Sequence, residues 1–220
     1  MDGESILKNI EEIFQEAEKF VKENYPDDLE WSRQVGGFLI TKVYFMQEYA
    51  YVVYCSGYKQ SIVRRHWNDL CEIYHYFSPS AIVRYKDLIR EKASTHIANK
   101  KKIDAILTTA EKINPMSMSE WQSFKNRIKH EDFFAALLEL PFIGPITKYH
   151  LARNLGFDTI KPDVHLQRMA DHFGRSPFEM CKELSEKSEQ LTGHHYPVHT
   201  IDSILWRASA ERMIKWSDLE

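Results

Sequence analysis

Two short stretches hold the residue types and spacings best suited to chemistry. The first is Leu140-Pro141-Phe142-Ile143-Gly144-Pro145. The second, Pro162-Asp163-Val164-His165-Leu166-Gln167-Arg168, puts Asp163 nineteen residues beyond Gly144. The first reads as a tight turn between a helix over 131–140 and another over 145–155. Backbone N–H groups at such a turn, facing the start of the second helix, form a cradle for a phosphate. The second stretch places a carboxylate at the start of a helix, a short loop further on. A phosphate grip with an acid nearby suits chemistry on a nucleotide. Asp163 also suits the plainer role of capping the helix that begins at Val164, and the two roles are compatible.

The elements that must position these residues read as helices. Ile6, Leu7, Ile10, Ile13, Phe14, Ala17 and Phe20 repeat on one face of a helix over 4–23, which Tyr25-Pro26-Asp27-Asp28 is expected to stop. Gly36-Gly37 allows a turn or close packing. The strongly apolar run 38–55 is rich in β-branched and aromatic residues, but polar residues do not alternate and no hairpin turn divides it, so it reads as a buried helix. Ser56-Gly57-Tyr58 breaks that pattern. Further helices are expected over 61–76, 80–92, 95–113, 119–128, 131–140, 145–155, 164–173, 177–192 and 197–214. Ser176-Pro177-Phe178-Glu179 has the cap, first-turn proline and back-reaching glutamate of a helix start. The fold class is all-α, with ten or eleven helices.

At 220 residues, 43% hydrophobic and 13% aromatic, the chain can bury a real core and is not a low-complexity or disordered sequence. It has no apolar run long enough to span a membrane and no signal-peptide pattern, which implies a soluble protein, cytoplasmic (nucleoid-associated) or nuclear. Cys55, Cys71 and Cys181 cannot pair completely and lack metal-ligand spacing. The net charge of −3 is awkward for a nucleic-acid binder, so the placement of charge matters more than its sum. Acids crowd 2–30, while bases gather at 59–65, 84–90, 100–102 and 125–129. Each basic cluster alone reads as a solvated helix face, and together they permit one basic surface with salt-sensitive binding.

The two stretches together resemble the helix-hairpin-helix DNA glycosylase superfamily, which includes endonuclease III and the adenine mismatch, 8-oxoguanine and alkylpurine glycosylases. The family hairpin reads Leu-Pro-Gly-hydrophobic-Gly, and Leu140, Pro141, Ile143 and Gly144 match it. Its catalytic aspartate opens a Val-Asp-x-His-hydrophobic-x-Arg stretch, and Asp163, His165, Leu166 and Arg168 match at the same internal spacing. In pattern the chain is nearest the 8-oxoguanine and alkylpurine branches. The resemblance implies a two-lobed fold with a central cleft. One lobe would be 36–156 with the hairpin, and the other 1–35 plus 157–220, with Asp163 at the cleft mouth. It implies a DNA partner, double-stranded or locally single-stranded, a monomeric chain and no membrane association.

The resemblance also assigns roles. Asp163 would stabilise an oxocarbenium-like sugar and help water attack it. Phe142, Gly144, Ile146, Thr147 and Lys148 would lie along the hairpin's DNA contact, with Gly144 the better candidate for an amide to phosphate. Phe142 departs from the family glycine. If the turn takes positive φ there, phenylalanine is strained, and either the grip is reshaped or Phe142 packs against sugar and backbone. Bifunctional relatives carry a lysine nucleophile where this chain has Ile146, so a monofunctional enzyme is implied. Lys148 lies about 200° around the helix from that position, and a shifted hairpin would be needed to make it a lyase nucleophile. The main-chain carbonyls of Leu138, Leu140 and Ile143 correspond to those that hold a monovalent cation. No cofactor is required, and with Cys181 the single cysteine after Asp163 no iron–sulfur cluster is expected.

Base flipping needs a residue to fill the gap. Tyr58, Lys59 and Gln60 lie where relatives of endonuclease III place theirs, although a tyrosine after glycine equally packs at a helix start. Asp202 and Trp206, four residues apart, fit the polar-plus-aromatic pair that reads the base in 8-oxoguanine glycosylase. On that pair alone an oxidised or alkylated purine is favoured over a modified cytosine. The alternative is that Trp206 is core and Asp202 a solvated partner of Arg207 or Lys215. His194, His195 and His199 read as loop histidines. A bifunctional lyase using Lys148 and a non-catalytic binder of damaged DNA are the rival functions.

Overall fold

The computed structural model describes residues 9–34 and 39–214. Among the described residues there are twelve α-helices and no strand. The Gly36-Gly37 turn and the first residues of the expected 4–23 helix lie outside that range. The chain divides into two units, one within Met1–Gly37 and Gly156–Glu220, the other within Phe38–Leu155.

α1 (Ile10–Asn24) starts at a capping box, in which Asn9 accepts from the Glu12 amide and Glu12 answers with its carboxylate. Tyr25 ends it, but Pro26 does not stop the chain. It opens α2 (Pro26–Gln34), with Asp27 and Asp28 in the first turn. The expected stop holds, since α1 ends at Asn24; what was not foreseen is the new helix, for a proline's missing N–H and fixed φ suit the first position of a helix as well as they break an interior.

In the contiguous unit, α3 (Lys42–Cys55) buries Phe45, Met46, Tyr49, Ala50, Val52, Val53 and Tyr54. It packs against α4 (Gln60–Ile73), α5 (Pro79–Arg84), α7 (Lys100–Ile113) and α9 (Thr147–Asn154). Burial on nearly every side explains why β-branched residues remain helical here: packing overrides a weak propensity. The expected 61–76 helix is shorter, because His75, Tyr76 and Phe77 all take positive φ in a 3-10 turn. The expected 80–92 helix breaks at Tyr85 into α5 and α6 (Lys86–His96). The chain is extended at Ile97, and Asn99 then caps α7 by accepting from the Lys102 amide. α8 (Met118–His130) begins at a Ser117/Glu120 capping box.

In the unit built from both chain ends, α10 (Val164–His172), α11 (Pro177–Thr192) and α12 (Val198–Ala210) join α1 and α2. Their core includes Phe14, Ala17, Val21, Leu166, Met169, Leu184, Tyr196, Ile201 and Leu205. α11 has the Ser176/Glu179 capping box and ends on Gly193 at φ 77°, the left-handed cap that glycine adopts without strain. No helix among the described residues is long and apolar enough to cross a membrane.

Candidate functional site

The hairpin lies within the contiguous unit. Its first arm, Asp132–Glu139, is a 3-10 run and not the α-helix expected over 131–140, and Phe134 inside it has φ 59°. Leu140 and Ile143 are buried and anchor the turn, closed by the Ile143 N–H donating to the Leu140 carbonyl at 3.2 Å. The Tyr49 hydroxyl donates to the Pro141 carbonyl at 2.9 Å, which fixes the turn to α3. Phe142 sits at φ 62° and is 40% exposed, so the strain that a phenylalanine brings to a left-handed position is present.

Gly144 departs from its expected role. Its N–H donates to the Thr147 Oγ1 at 2.7 Å and is already satisfied. A phosphate would have to displace that hydroxyl. Gly144 itself has no positive φ, and an added Cβ would meet Thr147 Oγ1 at an ordinary 3.9 Å. Thr147 therefore braces the hairpin turn from the first position of α9, and Thr147→Val should lower stability by about 1 kcal/mol through loss of one acceptor. Chemical denaturation checks this. Ile146 is half exposed, and Lys148 holds its ammonium 4.8 Å over the Tyr149 ring. Of the three carbonyls matched to a cation, that of Leu140 serves the turn but keeps a second lone pair, so the set remains chemically compatible with a monovalent ion.

Asp163 lies in the other unit and is the N-cap of α10. Its Oδ1 accepts from the amides of His165 at 3.0 Å and Leu166 at 3.4 Å. Its Oδ2 is 3.8 Å from Lys161 Nζ, and the side chain is 14% exposed. Behind it, Asp202 Oδ2 accepts from the Lys161 amide at 3.0 Å, and the Lys161 carbonyl accepts from the Asp163 amide at 2.7 Å. His165 Nδ1 is 2.9 Å from Ser209 Oγ, tying α10 to α12.

These contacts correct the base-reading assignment. Asp202 is 1% exposed and holds backbone, so it does not present a carboxylate to a base edge. The Arg207 guanidinium reaches Asp28 and Glu211, and Lys215, the other partner considered for Asp202, lies outside the described residues. Trp206 is half-buried beneath the Arg207 guanidinium, 5.1 Å from its ring centre. His199 is not a loop residue: it is buried on α12, with Asp158 Oδ1 2.8 Å from Nδ1 and the Ser32 carbonyl 2.7 Å from Nε2.

The 56–60 loop turns at Gly57, φ 79°. Gln60 donates to the Tyr51 hydroxyl at 2.9 Å, and Lys59 is exposed at the N-cap of α4. Tyr58 carries Lys102 Nζ 4.6 Å from its ring centre. Lys102, expected on a basic surface, is 3% exposed and donates to the carbonyls of Tyr54, at 2.9 Å, and Ser56. It thus caps α3 and holds the loop. Burial pushes its amine down to about 8. The unfolded chain then binds more protons between that value and the ordinary 10.5, so stability should rise across this interval. The difference between wild type and Lys102→Met, followed by urea midpoints, should shift by up to about 3 kcal/mol in favour of wild type.

The basic clusters at 84–90 and 125–129 are also partly neutralised. Lys86 pairs with Glu111, Arg90 with Asp87 and Asp104, and Arg127 with Glu131 and Glu139. Sequence reasoning missed one further group beside α9. Burial pushes the Glu48 carboxyl up to about 7, although it accepts from Asn154 Nδ2 at 2.9 Å. A glutamate in an otherwise apolar, buried helix was the available signal. Comparison with protein-family models, with curated proteins and with solved structures finds no match to this chain.

Proposed function

We propose that this protein is a monofunctional DNA N-glycosylase that flips a modified base from the helix and hydrolyses its glycosidic bond with the help of Asp163. The observation that carries the reading is the state of the Asp163 carboxylate. One oxygen is fixed by two backbone amides, the other is left beside a lysine ammonium, and the group is mostly covered but not sealed. A fixed negative charge with reduced water access is what stabilises developing positive charge on a sugar.

The strained Phe142 turn supports a DNA contact, because a residue held at unfavourable φ is a reason to ask what the turn does. Of the first amides of α9, those of Lys148 and Tyr149 already donate to the Gly144 and Ile146 carbonyls at 3.0 and 3.2 Å, so the Thr147 amide is the one suited to a phosphate oxygen. Ile146 occupies the position at which a lyase would need an amine. The buried state of Asp202 removes the ground for preferring a purine, so the excised base is a modified base of either class.

Labelled duplex and single-stranded oligonucleotides carrying oxidised, alkylated and otherwise modified bases test the proposal. Base release that cleaves the strand only after alkali is the expected result. Cleavage without alkali, with borohydride trapping lost in Lys148→Ala, would instead assign a lyase. Salt-sensitive binding with no base released from any substrate would leave a non-catalytic DNA binder.

A further inference from the structure

Away from the hairpin, in the contiguous unit, three ligand-type side chains converge where α4 packs against α6. His66 and Asp69 are three residues apart on α4 and so share a face. His96 is the last residue of α6. Nitrogen or oxygen atoms of all three lie within 4.8 Å of one another. His96 Nδ1 is 3.4 Å from Asp69 Oδ2. That is longer than a good N–H···O hydrogen bond, about 2.7–3.2 Å. It is close to the ~3.3 Å that separates two ligands on a tetrahedron with bonds of about 2.0–2.1 Å. The His66 and His96 rings are nearly perpendicular, 74° apart with centroids at 5.7 Å, so neither stacks over the other's nitrogen face.

A second observation points to a ligand. Asp69 and His96 also line an open cleft, together with Glu72, His75, Leu88 and Lys92. An ion held by the three side chains would therefore have a coordination position facing solvent, with Glu72 as an acidic neighbour. Two imidazoles and one carboxylate are a donor set for zinc(II) and its first-row neighbours. They are a poor one for magnesium or calcium, which prefer oxygen alone.

We propose that His66, Asp69 and His96 bind one divalent transition metal ion of the zinc type, with a remaining position open to the cleft. This site is independent of the DNA reading, since it lies on other helices and uses none of the same residues. Three protein ligands and an open position form the arrangement in which a metal holds an exchangeable water or an anionic ligand. The protein would carry an ion that its cysteine pattern gives no reason to expect.

The test uses the full chain, stripped with chelator and titrated with cobalt(II) as a spectroscopic probe, then with zinc(II) as competitor. One equivalent of cobalt(II) should produce visible ligand-field bands that zinc(II) abolishes. His96→Gln and Asp69→Asn should each weaken binding by about 10–100-fold, while a His194→Gln/His195→Gln control leaves it unchanged. Circular dichroism establishes that each variant is folded. Zinc(II) should also raise the melting temperature of wild type, and do so less for His96→Gln. Binding of undiminished strength in a folded His66→Gln/His96→Gln double variant would overturn the proposal. So would the absence of both bands and thermal shift at tens of micromolar metal.

Discussion

Asp163→Asn is expected to release base about a thousandfold more slowly than wild type while unfolding at nearly the same denaturant concentration. Asparagine caps a helix about as well as aspartate, so the acceptor for the His165 and Leu166 amides survives. What disappears is the negative charge that would face a cationic sugar. Asp163→Ala removes both and should also cost about 1 kcal/mol of stability. Single-turnover excision paired with urea unfolding therefore separates the two roles. Equal excision by wild type and Asp163→Asn would leave Asp163 as a cap alone.

Asp202→Ala should destabilise the unit that carries Asp163 by about 2–4 kcal/mol. The side chain is buried, and its loss strands the Lys161 amide while opening a small void. Asp202→Asn keeps an acceptor for that amide and should cost much less. Because the Lys161 carbonyl in turn accepts the Asp163 amide, Asp202→Ala should also displace the N-cap and slow excision. Thermal melts of the two variants, with excision rates for each, check both expectations. A melt for Asp202→Ala equal to that of wild type would refute this account of the buried carboxylate.

Much of the helical order was legible because apolar periodicity reports which face is covered. The capping box at Ser176 and the cap at Asp163 follow from short-range hydrogen bonds that sequence spells out. The failures share another cause. The apolar arm before the hairpin is too short for its pattern to separate a 3.0-residue from a 3.6-residue turn, and it proved to be 3-10. Asp202 and Trp206 do share a helix with the expected spacing, but spacing does not say which face is buried. Lys102 looked like one member of a basic run, although two carbonyls and an aromatic ring draw it inward. His66, Asp69 and His96 were invisible because two helices distant in sequence bring them together.

The pairing of α1 with α11 and α12 sets an order of assembly during synthesis. α1, with its buried Ile13, Phe14, Ala17 and Val21, is made well before α11 and α12, against which it packs. At ordinary elongation rates of about 5–20 residues per second, that apolar face waits roughly ten seconds or more for its partners. α3, by contrast, packs against α4, α5, α7 and α9, all of which are made before α11 and α12. A nascent chain stalled before α12 should therefore expose α1 to chaperones and proteases while α3 is already protected.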